Sequence, residues 1–214
     1  VRRGVLVWLQ EPEVPLQALR EAGDTGADAV LLRRPGASAQ AMRDGALRAR
    51  QAGLSVIVND RLDVALALQV PCQLRHDSLP PDLARLLAPR LPLGASVHEA
   101  DDARRAVDAG LDYLVFGHVF PTASKAGAPP RGVKALAAVV RASGVPVLAI
   151  GGVTAGNVAE VLAAGAAGVV VRSGIGQASA AEDARALRLA LDAGPAPPAV
   201  LTRNLREVLH CASA

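Results

Sequence analysis

One pattern repeats along this chain. A stretch of Ala, Leu and Arg at helical spacing runs up to a glycine, and a short run rich in Val, Leu and Ile follows. Gly26-Ala-Asp-Ala-Val-Leu-Leu32, Gly53-Leu-Ser-Val-Ile-Val58, Gly110-Leu-Asp-Tyr-Leu-Val-Phe116, Gly144-Val-Pro-Val-Leu-Ala-Ile150 and Gly165-Ala-Ala-Gly-Val-Val-Val171 are instances. Glycine accepts the left-handed backbone that closes a helix. The runs after it lack period-two alternation, as strands covered on both faces do. The pattern predicts strands near 4–9, 28–33, 54–59, 71–75, 92–96, 112–117, 145–150 and 168–172. It predicts helices near 13–23, 38–51, 61–68, 80–88, 98–109, 132–142, 155–164 and 179–191.

Eight alternations with short connections predict an α/β fold, a single (βα)8 TIM barrel over 1–194. An open doubly wound sheet is the other arrangement such alternation builds. No Gly-x-Gly-x-x-Gly follows the first strand, which argues against its dinucleotide-binding form. The segment 117–132 holds Gly127, Pro129 and Pro130 and is expected to be a long loop without regular structure. Pro195-Ala-Pro-Pro198 breaks the last helix. Residues 195–214 are expected as that break and a short helical tail, which would cap the barrel or meet a neighbour.

Composition narrows the function. Of 214 residues, 51% are hydrophobic, enough for one large core. No apolar run approaches the ~18 residues of a spanning helix. No signal-like segment follows Val1-Arg2-Arg3, so a cytoplasmic protein is expected. The net charge of +3 and pI of about 9.4 raise nucleic acid as a partner. The basic residues are dispersed among acids with no aromatic-interleaved stripe, so neither nucleic acid nor a membrane is expected. Attraction for a small anion fits better. Lysine stands only at 125 and 134 in an Arg-rich chain, which marks Lys125 as a place where a compact ammonium is wanted. Cys72 and Cys211 show no metal spacing and read as free thiols, Cys72 in the core.

Chemistry concentrates at 116–125, Phe-Gly-His-Val-Phe-Pro-Thr-Ala-Ser-Lys. In a barrel of this kind, active groups gather at the carboxyl ends of the strands. Polar residues just past the predicted strands are Arg33, Asn59 with Asp60, His76 to Ser78, Ser96 with His98, His118 with Lys125, and Thr154 with Asn157. Gly151 and Gly152 after strand seven, with Ser173 and Gly174 after strand eight, suit a phosphate cradle of backbone N–H groups. Tight turns alone would use the same glycines. His118 carries an imidazole that can give and take a proton near neutrality. It could equally fix the loop by hydrogen bonds. Asp60 reads as a ligand for a hard cation or as a helix cap.

Taken together, Val58-Asn-Asp-Arg-Leu-Asp-Val-Ala-Leu66, Gly94-Ala-Ser-Val-His98, Pro121-Thr-Ala-Ser-Lys125, Ile150-Gly-Gly-Val-Thr154 with Asn157, and Gly165-Ala-Ala-Gly-Val169 resemble the thiamine phosphate synthase superfamily. The resemblance implies a (βα)8 barrel and a phosphorylated small-molecule substrate. Members often associate as dimers, so a homodimer is an expectation that no residue localises. The family's synthase joins hydroxymethylpyrimidine pyrophosphate to a thiazole phosphate with magnesium. Its Gln-x-Arg-x-Lys run becomes Leu31-Leu-Arg33-Arg-Pro35 here, and its second magnesium carboxylate falls on Ser78. Gly117-His-Val-Phe120 resembles instead the TenI-type thiazole tautomerase branch. That likeness implies an isomerase that aromatises a carboxythiazole phosphate tautomer, with His118 catalytic and with no metal and no cofactor. Arg33, Asn59 and Lys125 would bind substrate, and Gly151, Gly152, Ser173 and Gly174 would bind phosphate. The other readings are the synthase, with Mg²⁺, and a non-catalytic phosphate-ester binder or regulator.

Overall fold

The computed structural model describes residues 3–172, 178–196 and 205–209. Eight parallel strands close on themselves in chain order. They are β1 (Val5–Gln10), β2 (Ala29–Leu32), β3 (Ser55–Asn59), β4 (Cys72–Leu74), β5 (Leu93–Val97), β6 (Tyr113–Gly117), β7 (Val147–Ile150) and β8 (Gly168–Val171). The helices between and after them are α1 (Leu16–Asp24), α2 (Ala39–Gln51), α3 (Leu62–Leu68), α4 (Pro81–Leu87), α5 (Ala100–Asp108), α6 (Gly132–Ser143), α7 (Val158–Ala163) and α8 (Ala178–Ala193). The expected (βα)8 TIM barrel is the observed fold.

Two differences from the expected elements have local causes. The helix expected from 155 begins at Val158, because Asn157 braces the preceding loop: its Nδ2 donates to the Gly152 carbonyl at 2.9 Å. The loop after β6 contains one 3₁₀ turn, Ala123–Lys125. Its base is clipped by backbone bonds from Arg131 to His118 (2.9 Å) and from Gly132 to Val119 (3.1 Å).

Each strand is buried on both faces, which is why its sequence does not alternate. Leu6, Trp8, Val30, Leu32, Leu114 and Phe116 face outward and join the helices in one apolar cluster. Their neighbours Val5, Val7, Ala29, Leu31, Tyr113 and Val115 face inward and form a second cluster inside the barrel. Leu205 and Leu209, from the helical turn 205–209, belong to that inner cluster. Arg206 of the same turn reaches the Gly4 carbonyl at 3.4 Å and lies 3.9 Å from Asp28. Gly4 and Asp28 just precede β1 and β2, so this turn covers the amino-terminal mouth of the barrel.

An ion network stiffens that mouth. Asp28 is nearly buried, accepts the Leu6 N–H at 2.8 Å and lies 3.4 Å from Arg188 of α8. Arg188, also nearly buried, donates through Nε to Asp192 at 3.0 Å. The pairs tie both strand starts to the last barrel helix. Paired in this way, the buried charges avoid the penalty of an unmatched ion.

Above the mouth, Tyr113 fills the interior. It is fully buried and lies across Gly94, its partner in the β5–β6 ladder. A Cβ on Gly94 would sit 2.3 Å from two carbons of the Tyr113 ring. We expect Gly94→Ala to destabilise the fold by about 1–3 kcal/mol, the usual cost of overpacking. A lowered midpoint in thermal or urea denaturation is the readout; an unchanged midpoint would show that the ring can yield without cost.

Candidate active site

The inward positions change character toward the carboxyl ends of the strands. Ile57 is followed on the same face of β3 by Asn59, and Gly94 on β5 by Ser96. Gln73 is the inward residue of the short β4, between the outward Cys72 and Leu74. These residues floor a cavity of about 680 Å³ that opens at this end of the barrel. Its wall includes Arg33, Asn59, His118, Lys125, Gly151 and Gly152, six of the residues named from the sequence. Ser173 and Gly174 lie outside the described residues.

Two loops build one side of the cavity by packing directly on each other. The Val119 N–H donates to the Ile150 carbonyl and the Phe120 N–H to the Gly151 carbonyl, both at 3.0 Å. Gly151 (φ 98°) and Gly152 (φ 65°) adopt the left-handed backbone that favours glycine. They are also needed for contact: a Cβ at 151 would lie 2.3 Å from the His118 Cβ, and one at 152 would lie 2.4 Å from the Pro121 carbonyl oxygen. The Gly-Gly turn therefore holds the His118 loop in place and lines the cavity as well. His118 Nε2 lies 3.3 Å from the Ala128 carbonyl oxygen, so the imidazole also fastens the loop that carries it.

The cavity wall is strongly cationic. Arg33, Arg75, Lys125, Arg131 and Arg172 line it, against one carboxylate, Asp77, among the described residues. No acid among the described residues pairs with the Arg33, Lys125 or Arg172 side chain. Arg75, Arg131, Arg172 and Gln73 were not assigned a role from the sequence. An Arg in an Arg-rich chain carries no signal of its own, and Gln73 sits inside a strand. Strand register would have found Gln73, because an amide facing a barrel interior must be solvated or bonded. Its Nε2 donates to the Leu74 carbonyl at 3.2 Å and to Ser96 Oγ at 3.3 Å. Its Oε1 is buried with no protein partner among the described residues.

The two open readings of Asp60 are replaced by a third arrangement. Asp60 (φ 64°) bonds through its N–H to the Gln73 carbonyl at 2.9 Å. Its carboxylate accepts from the Ser78 hydroxyl and lies 3.5 Å from Arg75 Nη1. The residue capping α3 is Arg61, with no side-chain cap bond, so Asp60 is not the cap. Asp77 accepts from Arg75 Nε at 2.9 Å and from Nη2 at 2.6 Å. Both carboxylates near the β4 end thus face one guanidinium. A hard cation such as Mg²⁺ wants several anionic oxygens, and this donor set does not fit it. No group of three His, Cys, Asp or Glu side chains that could hold a metal occurs among the described residues.

Cys72 is buried in the outer core, and burial pushes its thiol up to about 12, which suits a core residue and not a nucleophile. His98 is half-buried beside His76, with ring centroids 5.4 Å apart. Its Nδ1 lies 3.0 Å from the Gly117 carbonyl oxygen, and Arg131 donates to its backbone carbonyl at 3.3 Å. Burial, followed by the Arg131 charge, lowers its pKa. Near neutral pH the ring is uncharged, with Nδ1–H donating to Gly117.

A family model described as TMP-TENI, thiamine monophosphate synthase, matches residues 9–175. The thiamine-phosphate synthase of Chlorobium luteolum is 39% identical over 185 residues, covering 83% of this chain and 87% of that protein. Its counterpart in Moorella thermoacetica is 41% identical over 181 residues, covering 81% and 86%. Thiamine phosphate pyrophosphorylase from Pyrococcus furiosus shares the fold with a TM-score of 0.77 at 31% identity, covering 89% of this chain and 96% of that chain. The Chlorobium and Moorella relatives bear the name of a synthase, which is a transferase. They overturn the expectation of a thiazole tautomerase, and with it the isomerase in which His118 carries protons to and from carbon.

The His98 environment gives a direct check. Its imidazole should titrate below the ordinary 6.5, and Arg131→Gln should raise that value by removing a positive neighbour. Histidine ring resonances followed by NMR against pH read both; a His98 titrating above 6.5 would contradict this placement.

Proposed function

Because the chain belongs to the thiamine monophosphate synthase family, we propose that it joins a pyrimidine diphosphate to a thiazole phosphate and releases inorganic pyrophosphate. One observation carries the reading furthest: relatives named thiamine-phosphate synthase are 39–41% identical to this chain over most of both chains. The cationic wall supports it independently. A diphosphate ester and a phosphate ester are both polyanions, and a pocket with five cationic side chains against one carboxylate among the described residues suits them.

The bond changes are simple. The lone pair of the thiazole ring nitrogen attacks the pyrimidine methylene carbon, a C–N bond forms, and the C–O bond to the diphosphate breaks. The leaving pyrophosphate takes the electron pair. No proton leaves carbon, so the step needs positioning and charge stabilisation more than a general base. Lys125 and Arg33 would face the departing charge, each free of any acid partner among the described residues. Gly151 and Gly152 would bring backbone toward a phosphate with no side chain in the way. Asn59 and the Gln73 amide offer neutral contacts for heterocycle edges. His118 remains a wall contact beside the Gly-Gly turn.

The test is conversion of the two substrates to thiamine phosphate, followed by chromatography of the product. Turnover is expected with the intact chain, and its absence would remove the reading. Lys125→Ala should lower kcat/KM roughly 100-fold, as loss of a charge-stabilising group does. His118→Asn should retain turnover to within about tenfold, since no general base is required.

A further inference from the structure

α4 packs on the barrel with its small residues inward and its large ones outward. Ala84 is buried in the outer core, as is Ala88 just past the helix end. Leu83, Leu86 and Leu87 are 39%, 77% and 58% exposed. Their spacing puts them on one face of the helix. Among the described residues the other exposed large apolar side chains, Leu47 and Leu189, stand singly on α2 and α8. A lone exposed leucine is ordinary, whereas three sharing one short face form a patch that marks a contact. The helix does not need these leucines for its own attachment. Arg85 fastens it: its Nη2 donates to the Gly110 carbonyl at 2.8 Å and to Asp112 at 2.6 Å, and its Nη1 to the Leu91 carbonyl at 2.9 Å. The apolar face is thus fixed in position and open to solvent.

We propose that this face is where two copies of the chain meet, α4 against α4 in antiparallel across a two-fold axis. The pattern of charge argues for a second copy as the occupant. Asp82 stands exposed at the start of the helix, and Arg90 stands exposed three residues past its end. One acid and one base at opposite ends leave the face without net charge, so it selects neither a polyanion nor a polycation. They make it self-complementary instead: turned end for end, each Asp82 comes beside the partner's Arg90. Set parallel, the helices would place acid against acid and base against base. The residue midway between 82 and 90 is Leu86, the most exposed of the three, and at a two-fold axis it meets its own copy. Three leucines and a polar rim fall short of the ~800 Å² per partner of a standard interface, so the dimer is weak.

The test is sedimentation of the full chain over roughly 1–500 µM, a range that brackets the affinity of a small interface. The mass should rise from monomer toward dimer as concentration increases. Leu86→Glu brings two carboxylates together at the axis and should leave a monomer throughout. Because Leu86 is mostly exposed, its circular dichroism and Tm should match the parent; Leu86→Ser reads the same contact if the Glu variant does not fold. Asp82→Arg should weaken the dimer by about fivefold or more, since two attractive rim pairs become repulsive. Adding Arg90→Asp to it should restore the affinity to within about threefold, because the swap rebuilds both pairs. None of these residues lines the cavity, so each variant should keep the parent's rate of thiamine phosphate formation, and the dimer and the synthase reading fail separately. A chain that stays monomeric over the whole range, a dimer that survives Leu86→Glu, or a double swap no tighter than Asp82→Arg alone would overturn the proposal.

Discussion

The interior of an eight-stranded barrel is a fixed space, and here its lower half is already full. Tyr113 occupies it by lying across a residue that has no side chain, Gly94, and branched residues of β1, β2 and β3 pack around the ring. Leu205 and Leu209 close the mouth below. Interiors pack at crystal-like density, so nothing polar can enter from that end. The chain's polar inward residues are therefore confined to the other end, where Asn59, Gln73 and Ser96 form a floor. A site at the carboxyl ends of the strands is thus a consequence of how the opposite end is filled.

The upper rim depends on a second close approach. The loops after β6 and β7 extend the sheet by backbone bonds past its last paired residues, and Gly151 and Gly152 let them touch. A side chain at either glycine would meet backbone or a Cβ of the neighbouring loop, not the flexible end of a side chain. His118 and the Gly-Gly turn consequently form one rigid unit, and neither can be adjusted without the other. This is how residues more than thirty positions apart acquire a common geometry: the contact is made by main chain, which has few alternatives to offer.

Much of this was legible in the sequence, and the reasons differ by element. The strands were legible because burial on both faces writes an unbroken apolar run, and because a glycine precedes so many of them. The shortened start of α7 was not, since it is set by an Asn157 side chain bonding to a loop carbonyl. Of the site, Arg33, Asn59, His118, Lys125, Gly151 and Gly152 could be named because strand ends are where a barrel exposes chemistry. Arg75 was hidden by the abundance of arginine, and its partners Asp60 and Asp77 are informative only as a cluster. Asp60 and Arg75 sit on different strand ends, and only register brings them together. The chemistry assigned to His118 failed for another reason. A single titratable residue on a loop permits acid–base catalysis without requiring it, and here the imidazole also has a structural partner, the Ala128 carbonyl.

Charge shows the same separation between composition and arrangement. A net charge of +3 on 214 residues is unremarkable and foretells no particular ligand. The fold sorts the charges. Arg104 pairs with Asp101 on the outer face of α5, and Arg43 with Asp44 on α2, where water screens them and they contribute little. At the amino-terminal mouth Arg188 and Asp28 neutralise each other out of water. At the cavity, Arg33, Lys125 and Arg172 have no acid among the described residues to answer them. Low-dielectric walls sharpen a field that solvent would otherwise flatten. The attraction for a polyanion is therefore a product of where the barrel places its strand ends, and it would vanish if the same residues were scattered over the helices.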